Sequence, residues 1–270
     1  MTSPWASSAV HRFHLLAGFA AQLAFFLALS LVPFVAVTVT MAGRWLPLDV
    51  TAEVEQVLRD VLPAETHIDP ADVFRWARSS ASTGWLTASF FFAILTSFNF
   101  IATCLRGIRA AVTGEIKPDG TPWRSTLSAA LLVVVWVLAL LATALLLLVA
   151  PSVERGLLSL HELADLTISL VAAARVVVVA GMLFGATFLT YRLAPIPRVR
   201  AGRTVVAALA TPLGWLLVSS GFSKLAPELW GGAQLYGTLG SVVLFLLWAY
   251  VNAWTMLLGS LVLIRPRRAG

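Results

Sequence analysis

The stretch "LSAALLVVVWVLALLATALLLLVA" fills Leu127–Ala150 without one ionisable side chain. As a helix it is about 36 Å long, enough to cross a hydrocarbon core of about 30 Å. In hydrocarbon a helix satisfies all its backbone hydrogen bonds within one segment, so a run of this kind reads as a transmembrane helix. Five other segments share its character: Leu15–Met41, Trp85–Ala111, Leu166–Thr190, Val205–Ser223 and Thr238–Ile264. Val205–Ser223 is the weakest of the six, being short and containing Pro212 and Gly214. Leu15–Met41 is too long for a signal-peptide core, so it is read as a retained span. The expected fold class is an all-α membrane protein, a six-transmembrane-helix bundle forming one integral domain over residues 1–270.

Composition agrees. Of the 270 residues 59% are hydrophobic and 12% charged, against about 25% charged in soluble domains. One cysteine, Cys104, excludes an internal disulfide and a cysteine-built metal site. His11, His14, His67 and His161 form no metal-ligand spacing, so no metal and no cofactor is expected.

The net charge of +6 is explained by where the charges lie. With both termini in the cytoplasm, the inner side holds Arg12, Arg106, Arg109, Lys117, Arg124, Arg192, Arg198, Arg200, Arg203, Arg265, Arg267 and Arg268. Those are 12 of the 19 basic residues, accompanied by two acids, Glu115 and Asp119. The outer side holds six basic residues and eleven acids. This is the positive-inside pattern of a multi-pass membrane protein with both termini in the cytoplasm. The inner arginines face anionic lipid head groups, and no nucleic-acid partner is needed to explain them.

Between the first two spans, residues 49–80 read as two amphipathic extracytoplasmic helices. "LDVTAEVEQVLRDVLP" places Val50, Val54, Val57, Leu58 and Val61 on one face. "DPADVFRWARSS" starts with Asp69 as cap and Pro70 in the first helical position. They are too short for a core of their own, and serve either as a connector or as a lid on the outer mouth.

Four motifs resemble, in order and spacing, the YihY/BrkB family of bacterial inner-membrane proteins. They are "AAQLAFFLALSLVPFV" in span one, "FNFIATCLRGI" ending span two, "FLTYRLAP" ending span four and "QLYGTLGSVVLFLLWAYVNAWTMLLGS" in span six. The resemblance runs from about residue 12 to 264 and implies six spans. Members of that family have carried the labels ribonuclease and virulence factor, and some are suspected of moving envelope lipids or lipid-linked sugars. One departure stands out: the family typically has a small residue and then Glu after "LLG", whereas Gly259 is followed by Ser260 and Leu261. No role resting on that carboxylate transfers to this chain.

Arg175 is the leading candidate site residue. It lies ten residues after Asp165 and seventeen before Arg192, close to the midpoint of span four. A central arginine costs from about 3 to more than 10 kcal/mol, so it should face the bundle or a wet cavity. Guanidinium holds phosphate bidentately, which suits an anionic head group. The competing reading is a structural bolt onto neutral polar groups. Asn99, placed nearest Arg175, Gln22 and Asn252 are the embedded polar candidates, and Tyr236 sits at the interface where span six begins. The absence of embedded carboxylates argues against a proton relay.

Smaller features carry paired readings. Gly237, Ser241, Trp248, Asn252, Thr255 and Gly259 lie within about 40° of one face of span six, as a helix-packing seam or a pathway lining. Ser89, Thr96, Asn99 and Thr103 form a looser stripe on span two. Ala17, Ala21, Ala24 and Ala28 suggest a packing seam on span one. Pro33 frees the Leu29 carbonyl, with Ser30 nearby to satisfy it, and makes a static kink or a hinge. "YGTLGS" lacks the lysine and spacing of a phosphate loop, and "YRLAPIPRVR" is a stiff cytoplasmic turn.

Enzyme readings fare poorly. A ribonuclease needs an acid/base or metal constellation, and the inner side offers Glu115, Asp119 and two N-terminal histidines. The expected function is non-enzymatic: passage or flipping of an anionic amphiphile, a lipid or lipid-linked sugar, with Arg175 as head-group anchor. The alternative is a non-transporting scaffold for envelope assembly with Arg175 structural. Membrane lipids are the expected partners, and homo-oligomerisation is left open.

Overall fold

The helix built on Leu127–Ala150 outruns its apolar limits at both ends and passes through Pro151. In the computed structural model it has 37 residues, Pro122–Leu158. The structure describes residues 12–30, 33, 83–115, 122–158, 164–197, 199–233 and 238–264. We label the long helices α1 (Arg12–Ser30), α2 (Thr83–Thr113), α3 (Pro122–Leu158), α4 (Ala164–Leu193), α5 (Ala201–Ala233) and α6 (Thr238–Ser260). A single 3-10 turn, Leu261–Leu263, closes α6. Six helices are long and apolar enough to cross a membrane, and no strand occurs among the described residues. The fold is all-α, as expected. The amphipathic helices expected at residues 49–80, and Tyr236, lie outside the described residues.

The weakest span proves to be a long one. α5 runs 33 residues, straight through Pro212 and Gly214. At Gly214 the reason is steric: a Cβ there would stand 3.3 Å from Thr255 Cβ of α6. Glycine thus marks a close helix crossing rather than a break. Ser30 differs from expectation as well. Its hydroxyl donates to Leu27 O at 2.9 Å, not to the Leu29 carbonyl. A helical hydroxyl reaches back three or four residues, so its immediate predecessor is out of range.

The chain forms two compact units, residues 1–26 with 98–270, and residues 27–97. In the smaller unit Pro33 is buried, and Thr96 donates to Phe92 O (2.8 Å) and Ala93 O (3.1 Å). In the larger unit α3 packs on α4, α4 on α5, and α5 on α6. Its buried core gathers at the end bearing the short basic connections. Leu16, Phe19, Ala20 and Leu23 of α1 join Cys104 and Ile108 of α2, Leu132 of α3, Tyr191 of α4, Ala207 of α5, and Leu257 and Leu263. The seam on α1 is therefore built by large residues as well as Ala20 and Ala24, and Ala21 is exposed. Lipid chains are as apolar as leucine, so dispersion at close contact holds this core together, and larger side chains make more of it.

Away from the basic end, packing thins. Leu138, Leu140 and Leu141 of α3, Leu213, Leu216 and Leu217 of α5, and Val242 and Val243 of α6 are all exposed. So broad an apolar surface suits hydrocarbon, not water.

Close approach is concentrated at Gly259. A Cβ there would overlap the buried Thr211 Oγ1 and Tyr191 hydroxyl, neither of which has room to retreat. At Gly107 the clash would be with the movable end of Leu257, and at Gly185 there is open space. Gly259→Ala should therefore lower stability by about 1–3 kcal/mol. Gly107→Ala should cost less, and Gly185→Ala should match or exceed wild type. Thermal unfolding in detergent checks the order; equal melting temperatures for all three variants would contradict the steric argument.

Candidate functional site

Arg175 stands on the stretch of α4 where packing is thin. Ala173, Ala174, Val176, Val177 and Val178 around it are exposed, Val177 by 70%. Arg175 itself is half-buried, as are Val179 and Met182, and Ala186 is buried. These positions follow at four, seven and eleven residues, which is one stripe of a helix. Arg175 therefore projects from the inward stripe of α4, on a segment whose flanks are open. Arg175 interacts with another group of the protein.

The other expected site residues do not form one constellation around it. With a rise of about 1.5 Å per residue, Arg175 lies about 26 Å from Arg192, whereas Gln22 and Asn99 lie about 15 Å from Arg12 and Arg109. Asn99 is thus not level with Arg175, and α4 packs along α3 and α5. Asn99 is half-buried on α2, and Gln22 is exposed on α1.

Asn252 is half-buried, and its side-chain amide donates to Trp248 O of its own helix at 2.8 Å. The cross-helix bond at this position goes to its backbone: Asn252 O accepts from Trp215 Nε1 of α5 at 3.0 Å. The same carbonyl accepts from Thr255 Oγ1 at 2.7 Å. Trp248 Nε1 donates to Ser219 Oγ at 3.3 Å. With Thr255 against Gly214 and Gly259 against Thr211, the described part of the polar stripe of span six is the packing seam between α5 and α6.

The most concentrated polar geometry is at a residue the sequence presented as part of a turn. Tyr191, 1% exposed near the end of α4, places its hydroxyl 2.6 Å from Thr211 Oγ1 of α5. The hydroxyl also donates to Met256 O of α6 at 2.7 Å. Thr211 in turn lies 3.0 Å from Ala207 O. Each hydroxyl carries one proton, so two protons serve three positions. The arrangement joining all three helices has Tyr191 donating to Met256 O and Thr211 donating to Tyr191. Trp136 Nε1 adds a bond from α3 to Thr190 Oγ1 at 3.1 Å. Cys104 Sγ of α2 lies 3.5 Å from Met256 Sδ. The available signals were a tyrosine before Arg192 at a span end and a threonine before Pro212, neither of which identifies its partner.

Among the described residues no three His, Cys, Asp or Glu side chains stand where they could hold a metal ion. Taken with the comparisons, this geometry has a family context. The family model described as virulence factor BrkB matches residues 12–264. A ribonuclease-like protein named YfkH of Bacillus subtilis (strain 168) is 25% identical over 240 residues, covering 89% of this chain and 86% of that protein. No solved structure matches the chain.

Removing the Tyr191 hydroxyl removes the bonds to Thr211 and to the Met256 carbonyl that join α4 to α5 and α6. Tyr191→Phe should destabilise the protein by about 1–2 kcal/mol. A double-mutant cycle with Thr211→Val, read by unfolding in detergent, should show a coupling energy clearly above zero. Additive losses would mean the two hydroxyls act separately.

Proposed function

The chain belongs to the virulence factor BrkB family of multi-pass membrane proteins, and on that premise we propose that it moves an anionic amphiphile across the bacterial cytoplasmic membrane. The ligand is a lipid or a lipid-linked sugar, and both termini are cytoplasmic. The observation that carries this reading is the setting of Arg175: a cation on the inward stripe of α4, where the flanking residues are open to hydrocarbon. A lipid head group sliding in from the side would meet the guanidinium while its chains stayed in the bilayer. The charge has a high cost at that depth, which an anionic ligand offsets. The part is non-enzymatic, since binding and passage need only the fixed charge and an open flank. The ribonuclease-like name belongs to the Bacillus relative and suggests no residue here for acid/base work.

A second reading rests on one observation. Arg175 already interacts within the protein, as a structural arginine in a scaffold for envelope assembly would.

The two readings separate in one experiment. Wild-type protein is reconstituted into vesicles containing a fluorescent phosphatidylglycerol, and its accessibility to an impermeant quencher is followed. Wild type should speed the exchange between leaflets. Arg175→Gln should slow it about tenfold or more while melting within a few degrees of wild type, as loss of one charge-assisted contact implies. Full activity in Arg175→Gln would remove the anchor role. A wild type no faster than empty vesicles would remove transport of this lipid class, and a collapse of stability alone would favour the scaffold.

A further inference from the structure

A cavity of about 320 Å³ lies at the turn between α4 and α5, at the basic end of the bundle. It is within the range of small-molecule sites, about 300–1,000 Å³. Tyr191, Arg192, Ala194, Ile196, Val199 and Thr204 contribute to its wall, and among the described residues no acidic side chain does. Nothing in the interhelical hydrogen bonding described above requires it.

Three properties of the wall point to the same kind of ligand. First, Thr204 is 2% exposed, and its hydroxyl makes no hydrogen bond among the described residues although it lines the cavity. A threonine in the first turn of a helix ordinarily bonds back to a carbonyl; since no enclosed side-chain oxygen among the described residues lacks a partner, this unbonded hydroxyl is open to the cavity. Second, α5 begins here. The Arg200 carbonyl accepts from Arg203 N (3.0 Å) and Thr204 N (3.4 Å), which puts Arg200 in the capping position. Its side chain has donors only, so it cannot accept from the N–H groups of the first turn, as a capping Ser or Asp would. The positive end of a 33-residue helix thus stands beside the cavity, where it favours an anion. Third, the guanidinium of Arg192 lies in the wall and donates to Val199 O at 3.4 Å, a long bond that leaves most of its five donors uncommitted. Arg203 beside it ties the start of α5 to Ile264 O at 2.8 Å, keeping the frame in place.

We propose that this cavity binds a phosphate group, held by the Arg192 guanidinium and the Thr204 hydroxyl and favoured by the positive end of α5 beside it. The chemistry is a phosphate mono- or diester oxyanion, from a lipid head group at the membrane surface or from a soluble phosphate. The site is separate from Arg175, about 26 Å away along α4, and stands whether or not Arg175 anchors a ligand.

The test uses the full chain in an uncharged detergent. Inorganic phosphate and water-soluble dihexanoyl phosphatidylglycerol are titrated separately at constant ionic strength, and thermal stabilisation is read as an apparent Kd. At least one probe should stabilise the protein saturably. Arg192→Gln should weaken that binding about tenfold or more, and Thr204→Val several-fold. Arg124→Gln, a change of equal charge at the start of α3, should leave it unaltered. Stabilisation by phosphate identifies a soluble-anion site, and stabilisation by the lipid alone a head-group site. Absence of saturable stabilisation by either probe would overturn the proposal, as would wild-type affinity in Arg192→Gln. Because the Arg192 side chain is exposed, that variant remains informative if Thr204→Val does not fold.

Discussion

The hydroxyl of Tyr191 brings α4, α5 and α6 to one point, through Thr211 and the Met256 carbonyl. In water such a bond would compete with solvent on nearly equal terms. In a bilayer the competitor is absent, and an unmatched hydroxyl or carbonyl has nowhere else to turn. The approach of the helices at this point requires Gly259, because a methyl group would occupy the space of the two oxygens. Close contact and polar pairing are therefore one constraint, and it explains why the core lies at this end of the larger unit. The indole N–H groups of Trp136, Trp215 and Trp248 continue the pattern, each reaching a neighbouring helix.

Tight packing at one end leaves the opposite stretches of α3 to α6 with apolar side chains turned outward. For a protein in hydrocarbon this has little cost, since leucine against a lipid chain and leucine against leucine are similar contacts. It changes the setting of a charge, however. Arg175 projects inward from a segment whose flanking residues are exposed. At the other end of the same helix, the α4–α5 turn assembles a second cationic environment from Arg192 and the start of α5. The two are distinct in kind: one is a single side chain in a thin region, the other a walled cavity lined by Arg192 and Thr204.

The polar residues named from the sequence show where such reading runs out. Asn252 looked suited to bonding across helices, yet its side chain turns back to Trp248 and its backbone carbonyl makes the crossing. Gln22 is exposed, and Asn99 is offset from Arg175 along the bundle axis. A side chain's residue type states what bonds it is able to make. It does not state which neighbour arrives. The resemblance in "FLTYRLAP" drew attention to the right segment, but not to Tyr191 as its centre.

What depends on local composition was legible before any coordinates. Long uncharged runs specify membrane-crossing helices, since no other conformation satisfies the backbone within one segment, and six of them appear. Boundaries were less legible, because an apolar count ends where charge begins while a helix continues until something stops it; α3 and α5 outrun their apolar stretches for that reason. Pairing between helices was not legible at all. Whether Thr211 meets Tyr191, whether Gly214 breaks α5 or admits Thr255, and whether Thr204 is left facing a cavity depend on the rotation and spacing of whole helices. Those are set jointly by many weak contacts among segments distant in the chain, and only their three-dimensional sum has a definite answer.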